Sequence, residues 1–274
     1  MNDVEVARAA AAAGAAIVRE RFGAATKRIE KGGRFEFATD ADIDAERRII
    51  EILRHERPRD GVLGEESGRL HGDREGEGDR NRLWLVDPLC GTNNFAAGVP
   101  LLAVNVCLAL GGRPTVAAVA DPFHVETAWT DGTRAGIHRD GEPGPLRPDG
   151  GATAVDVNLE PPHPSAPFTT LAMIGDPAFQ AEFQARVTAT TLTLTWVAMG
   201  RRAAYVSDGD LRENMHFAAG VAICRAAGCV VTDLNGDPLP PDGHGWGLLA
   251  AADARIHAAL LAVVRRLAGD RLAT

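Results

Sequence analysis

Trp84-Leu85-Val86-Asp87-Pro88-Leu89-Cys90-Gly91-Thr92-Asn93-Asn94-Phe95 is the stretch on which the reading of this chain turns. Its apolar start predicts a strand over Leu83 to Val86. Asp87-Pro88 then reads as a turn that aims a carboxylate outward from the end of a buried element. Gly91 lets the backbone approach an anion, and the N–H groups that follow can cradle phosphate. Alone, Asp87-Pro88 is equally a plain turn.

Two more acidic segments stand upstream. Thr39-Asp40-Ala41-Asp42 has the T-x-x-D spacing of a capping box at a helix start. Gly64-Glu65-Glu66-Ser67 follows the short apolar pair Val62-Leu63. Each of the three sits where a strand or helix start meets a loop, where site residues stand on a rigid scaffold. Hard cations such as Mg²⁺ take carboxylate and carbonyl oxygens from separate, stiffly held elements. Singly, Asp42 is also readable as a helix cap, and Glu65 and Glu66 as solvated loop acids.

Around these segments, helical spacing predicts helices over 3–22 and from Thr39 to the break at Pro58. Strands are expected at Val62-Leu63, Leu83 to Val86, Leu101 to Leu110, Thr115 to Ala120 and Val125 to Thr130. Gly141 to Pro167 is rich in Gly and Pro and reads as a join, which sets a boundary near residue 150. Beyond it, helices are expected at Ala178 to Val187, Leu192 to Gly200, Phe217 to Ala227 and Ile256 to Leu267. Strands are expected at Ala203 to Ser207, Val230 to Thr232 and Gly247 to Ala251, with a turn at Asn235-Gly236. Helices and strands mixed in both halves predict a layered α/β (α+β) sandwich: 1–150 carries the metal-site motifs and 151–274 completes a cleft.

Composition narrows the function. The chain has 274 residues, 45% of them hydrophobic, enough for one large domain or two packed halves. Its net charge is −8 without a basic run, which argues against nucleic acid or an anionic membrane as partner. The first helix lacks the basic start and leucine-rich core of a secretory signal, and no apolar run reaches the ~18 residues of a membrane span. Cys90, Cys107, Cys224 and Cys229 show no C-x-x-C pairing, as expected of a reduced cytoplasmic protein. The last three read as small buried apolar residues.

In this order the three segments resemble the inositol-monophosphatase family, part of the lithium-sensitive phosphatase superfamily. Its signatures are G-E-E, then D-P-[IL]-D-G-T-x-N-F, then W-D-x-A-A-G. The match runs nearly the whole chain, with Asp121-Pro122 and Ala218-Ala219-Gly220 also in place. The resemblance implies alternating helix and sheet layers, as in inositol monophosphatase and fructose bisphosphatase. It implies Mg²⁺ at Glu65, Asp87 and the Leu89 carbonyl, with Thr92 and Glu65 orienting the attacking water and Asp42 near a third metal. Phosphate would rest on the N–H groups of Gly91 and Thr92. The implied reaction is hydrolysis of a small phosphomonoester (inositol, sugar, polyol or nucleotide phosphate) by metal-activated water, in a homodimer.

Two positions depart from the pattern: Cys90 replaces the second aspartate of the D-P segment, and Met215-His216 replaces Trp-Asp. Both aspartates are second-metal ligands in the family. Asp87, Cys90 and His216 offer O, S and N donors, a softer set suited to Zn²⁺ or Mn²⁺. The alternatives are a phosphate-binding pseudoenzyme, or altered chemistry on a phosphorylated metabolite in a specialised biosynthetic pathway, with a Cys-His nucleophile as one form. For substrate contacts the sequence offers Asp208, Asp210 and Glu213, in a stretch equally readable as a solvated loop. The family's R-x-G-S-A segment is reduced here to Arg186-Val187-Thr188-Ala189.

Overall fold

Asn2 caps the first helix by accepting the Glu5 N–H, while Glu5 accepts the Asn2 N–H, both at 2.9 Å. In the computed structural model the described residues are 1–24, 27–31, 37–72, 81–159, 169–209, 215–239 and 246–269. They divide into two units. The first comprises Met1–Pro145 with Thr190–Leu192 and Ala218–Ile223; the second comprises Leu146–Ala189, Thr193–Phe217 and Cys224–Thr274.

Up to Pro145 the elements are α1 (Asp3–Arg21), β1 (Arg28–Glu30), β2 (Phe37–Thr39), α2 (Asp40–Glu56), β3 (Gly61–Gly64), β4 (Gly68–Leu70), β5 (Arg82–Cys90), α3 (Thr92–Ala96), β6 (Ala103–Leu110), β7 (Arg113–Asp121), β8 (Glu126–Thr130), β9 (Ala135–Arg139) and β10 (Glu142–Pro145). Eight strands form one sheet in the order β10-β9-β8-β7-β6-β5-β3-β4, and β1 and β2 form a separate ladder. Alanines and valines at helical spacing bury one face of α1: Val6, Ala7, Ala10, Ala11, Ala15 and Val18. That face joins Ile49 and Leu53 of α2 and the strand residues Trp84, Val86, Val104, Val106 and Leu108 in one core. Burying a Leu or Ile of this kind contributes about 1.5–3 kcal/mol.

Beyond it run β11 (Ala154–Asn158), α4 (Thr170–Ile174), α5 (Pro177–Glu182), β12 (Gln184–Val187), α6 (Leu192–Ala198), β13 (Ala204–Ser207), α7 (Ala218–Ala226), β14 (Val230–Thr232), β15 (Leu248–Ala251) and α8 (Ala254–Ala268). The sheet order is β12-β11-β13-β15-β14, parallel through β12, β11 and β13 and antiparallel beyond.

Three expectations are corrected. The helix expected over 178–187 stops at Glu182, because Gln184–Val187 pairs in parallel with β11 and that ladder overrides local helical spacing. The strand expected to end at Val86 runs on through Pro88 to Cys90, since a register shift between Asp87 and Cys90 absorbs the proline. The stretch read as a join carries β10 and β11; its residues 160–168 lie outside the described ones. Among the described residues no helix is long and apolar enough to cross a membrane.

Candidate active site

The bulge in β5 places Asp87 at the last regular pairing of the strand, opposite Asn105 of β6. Asp87 is 1% exposed, and a carboxyl so deep needs donors. Asn105 supplies one: its Nδ2 donates to Asp87 Oδ2 at 3.2 Å and to Thr191 Oγ1 at 2.9 Å.

Past the bulge, Gly91 adopts φ +106°, a left-handed conformation that favours glycine, and a Cβ there would meet the Leu101 carbonyl oxygen at 3.0 Å. Thr92 then opens α3. The Asn and Phe of the motif fasten this turn: Asn94 Nδ2 donates to the Leu101 carbonyl at 3.0 Å, and Phe95 packs edge-on to Phe22 at 5.7 Å between ring centroids.

The Thr92 hydroxyl faces two acceptors, Asp42 Oδ1 at 3.1 Å and the Leu89 carbonyl at 3.2 Å. It carries one hydrogen, so it donates to one at a time. Asp42 is fully buried and takes the Thr39 N–H at 2.8 Å and the Thr39 hydroxyl at 2.5 Å on its other oxygen. Burial raises its pKa from 3.8 to about 6; the Thr39 bonds pull the other way, and the Glu66 charge raises it further.

Glu65 begins the turn after β3. Its N–H donates to the Val86 carbonyl at 3.0 Å, extending the parallel β3–β5 ladder by one bond. Its carboxylate comes within 4.8 Å of a carboxylate oxygen of Asp87. The Lys31 ammonium donates to Glu65 at 2.9 Å and to Glu66 at 2.5 Å, so a cation already sits against this acidic turn. Burial works to lower the Lys31 pKa, but the charges and hydrogen bonds of Glu65 and Glu66 carry it above its ordinary value. A groove of about 660 Å³ is lined by this turn together with Ile29, Ala38, Ile43, Glu46 and Ile50.

Cys90 Sγ accepts the Thr191 N–H at 3.1 Å, and the Cys90 carbonyl accepts from Thr190 Oγ1 at 3.3 Å. Burial first, then the charge of Asp87, pushes the thiol well above its ordinary pKa. Both effects work against a thiolate nucleophile there. His216 belongs to the second unit, two residues before α7. Asp208, also in the second unit, is 2% exposed and accepts the Thr170 N–H at 2.7 Å; it is a buried bracing group, not a solvated loop acid. Asp210 and Glu213 lie outside the described residues. Cys107, Cys224 and Cys229 are buried free cysteines.

The first unit thus gathers Asp42, Glu65, Asp87, Leu89, Cys90, Gly91 and Thr92. Sequence reasoning missed Asn105, Thr190 and Thr191. Asn105 had a readable signal, a lone amide inside the apolar run Ala103 to Leu110. The two threonines, a hundred residues downstream of Cys90, had none.

The chain matches the model of the inositol monophosphatase family over residues 2–268. It is 34% identical over 251 residues to the Escherichia coli (strain K12) protein named Nus factor SuhB, covering 88% of this chain and 86% of that one. The crystal structure of extragenic suppressor protein suhB from Bartonella henselae superposes with a TM-score of 0.79 at 25% identity, over 96% of this chain and 98% of that one. An inositol monophosphatase from Anabaena (Nostoc) sp. PCC 7120 superposes with a TM-score of 0.75 at 26% identity, over 96% and 95%. The fold is the α/β layered sandwich of these neighbours.

Proposed function

We propose, on the premise that this chain belongs to the inositol monophosphatase family, that it hydrolyses a small phosphomonoester with Mg²⁺ held by Glu65, Asp87 and the Leu89 carbonyl. Family membership supports phosphatase activity in general. The observation that carries it is the approach of the Glu65 and Asp87 carboxylates to within 4.8 Å. Two acids that close repel unless a cation lies by them. The all-oxygen donor set suits a hard divalent ion, and the Lys31 ammonium already holds positive charge against Glu65.

When bound, Mg²⁺ would supply positive charge to the phosphoryl oxygens and lower the pKa of water. The chain's own groups do the rest. Asn105 fixes the Asp87 carboxylate. Thr92, shared between Asp42 and the Leu89 carbonyl, holds a hydroxyl ready to orient the attacking water together with Glu65. The left-handed conformation of Gly91 turns the chain into α3, where the Gly91 and Thr92 N–H groups are the proposed phosphate donors. His216 is proposed as a ligand from its motif position. A homodimer is proposed on the same family grounds, and light scattering at micromolar concentration tests it.

One observation favours a second reading, a phosphate-binding protein without turnover: Cys90, a thiol, stands where the family pattern has an aspartate. The name Nus factor, borne by the E. coli relative, fits a role other than hydrolysis. The deciding experiment is a panel of inositol, sugar and nucleotide monophosphates with Mg²⁺, Mn²⁺ or Zn²⁺, read by phosphate release and by calorimetry. Release with Mg²⁺ supports the first reading; calorimetric binding with no release under any cation supports the second.

A further inference from the structure

Glu46 enters neither the motifs nor the mechanism, yet it is 3% exposed on the buried stripe of α2, among Ala41, Ala45, Ile49 and Leu53. A carboxyl in such a place is costly unless its oxygens are fully used. They are. Oε2 accepts the Glu66 N–H and Oε1 the Ser67 N–H, each at 2.8 Å. These are the two residues directly after Glu65, whose own N–H is held by the Val86 carbonyl.

Glu65 is therefore pinned on one side by the β3–β5 ladder and on the other by a carboxylate from α2. The same helix face carries Asp42 one turn earlier, bonded to Thr92. An i, i+4 pair stacks on one helix face, about 6 Å apart along the axis. One rigid stripe thus sets the positions of both Thr92 and the Glu65 turn. The fit is close: a Cβ on Gly64 would meet Glu46 Oε2 at 2.6 Å.

We propose that Glu46 is a positioning residue that holds the Glu65 carboxylate in its metal-ready place beside Asp87. This inference rests on the metal reading above. Outer partners of metal ligands typically change affinity 10–100-fold when removed. In Glu46→Gln, one amide oxygen still accepts an N–H, while the new NH₂ opposes the other, so one of the two braces is lost with the shape kept.

The test is Mg²⁺ binding to the full chain by calorimetry, paired with hydrogen exchange at the Glu66 and Ser67 amides. It covers the native protein, Glu65→Gln, Glu46→Gln and Gly64→Ala. The expected result is Mg²⁺ binding weakened about tenfold or more in Glu46→Gln and in Gly64→Ala, with faster exchange at those two amides and cooperative melting retained. A brace with a purely structural role would speed exchange and leave Mg²⁺ affinity within about twofold of native, and that overturns the inference. If Glu46→Gln does not fold, Gly64→Ala, which displaces the same carboxylate, decides by the same criteria. Native protein that binds no Mg²⁺, or Glu65→Gln that still binds it, overturns the metal reading and this inference together. Loss in Glu65→Gln with none in Glu46→Gln overturns this inference alone.

Discussion

Asn105 Nδ2 donates to Asp87 Oδ2 at 3.2 Å from the position directly opposite it on the neighbouring strand. Its second amide hydrogen goes to Thr191, so both amide hydrogens are spent on orientation. Asn105→Ala is expected to lower kcat/KM about 10–100-fold for whichever substrate turns over, and to raise the Mg²⁺ concentration needed for half-maximal rate. Steady-state kinetics across a Mg²⁺ series would show it. An unchanged profile would mean that Asp87 needs no such partner.

Asp42 gives a pH prediction. Its folded pKa, about 6, lies above the ordinary 3.8, chiefly through burial. A raised carboxyl pKa contributes stability that is full below about 3.8 and is lost as pH rises through about 6. Asp42→Asn does not titrate and keeps the oxygen that Thr39 bonds. Without metal at pH 8 it should be more stable than the native protein by about 1–3 kcal/mol, with the gain gone below pH 4. Urea melts with a chelator present, run at both pH values, check this; native protein more stable at pH 8 would refute it.

Phe95 is 4% exposed and is the aromatic anchor of the turn that carries Thr92. Phe95→Ala should cost about 3–5 kcal/mol. It should also reduce turnover at temperatures where the variant is still folded, because α3 loses its packing against Phe22. Full activity in folded Phe95→Ala would show that the turn is held by Asn94 alone.

Cys90→Asp restores the aspartate of the family pattern beside Asp87 and Glu65. In metal-free protein the added charge should destabilise by about 1–3 kcal/mol, since like charges then crowd one site. Mg²⁺ should recover more stability than it gives the native protein, because binding to the folded state alone stabilises by mass action. Thermal melts with and without Mg²⁺ measure both effects. A folded variant that loses an activity the native protein shows would mean that the thiol contributes chemistry of its own.

Much of this was legible in the sequence, for local reasons. The D-P-L-x-G-T-x-N-F spacing is a contiguous loop whose glycine, asparagine and phenylalanine each have a local task, and the structure shows the tasks. Thr39 and Asp42 read as a cap because the bond spans a single helical turn. What was missed is non-local. Pro88 looked like the end of a strand, and only pairing with β6 shows that a bulge carries the strand past it. Gln184 to Val187 looked helical until β11 offered a ladder. Glu46 carries no local signal of its task, because the N–H groups it serves lie 20 and 21 residues away.

The central claim, metal-dependent phosphomonoester hydrolysis at Asp87 and Glu65, is tested most directly by phosphate release from the native protein and Asp87→Asn, titrated with Mg²⁺ on one common substrate. The account predicts release that rises from zero with Mg²⁺ in the native protein and falls by at least about 100-fold in Asp87→Asn while the variant stays folded. Release that persists unchanged in Asp87→Asn, or that needs no divalent cation, would contradict it.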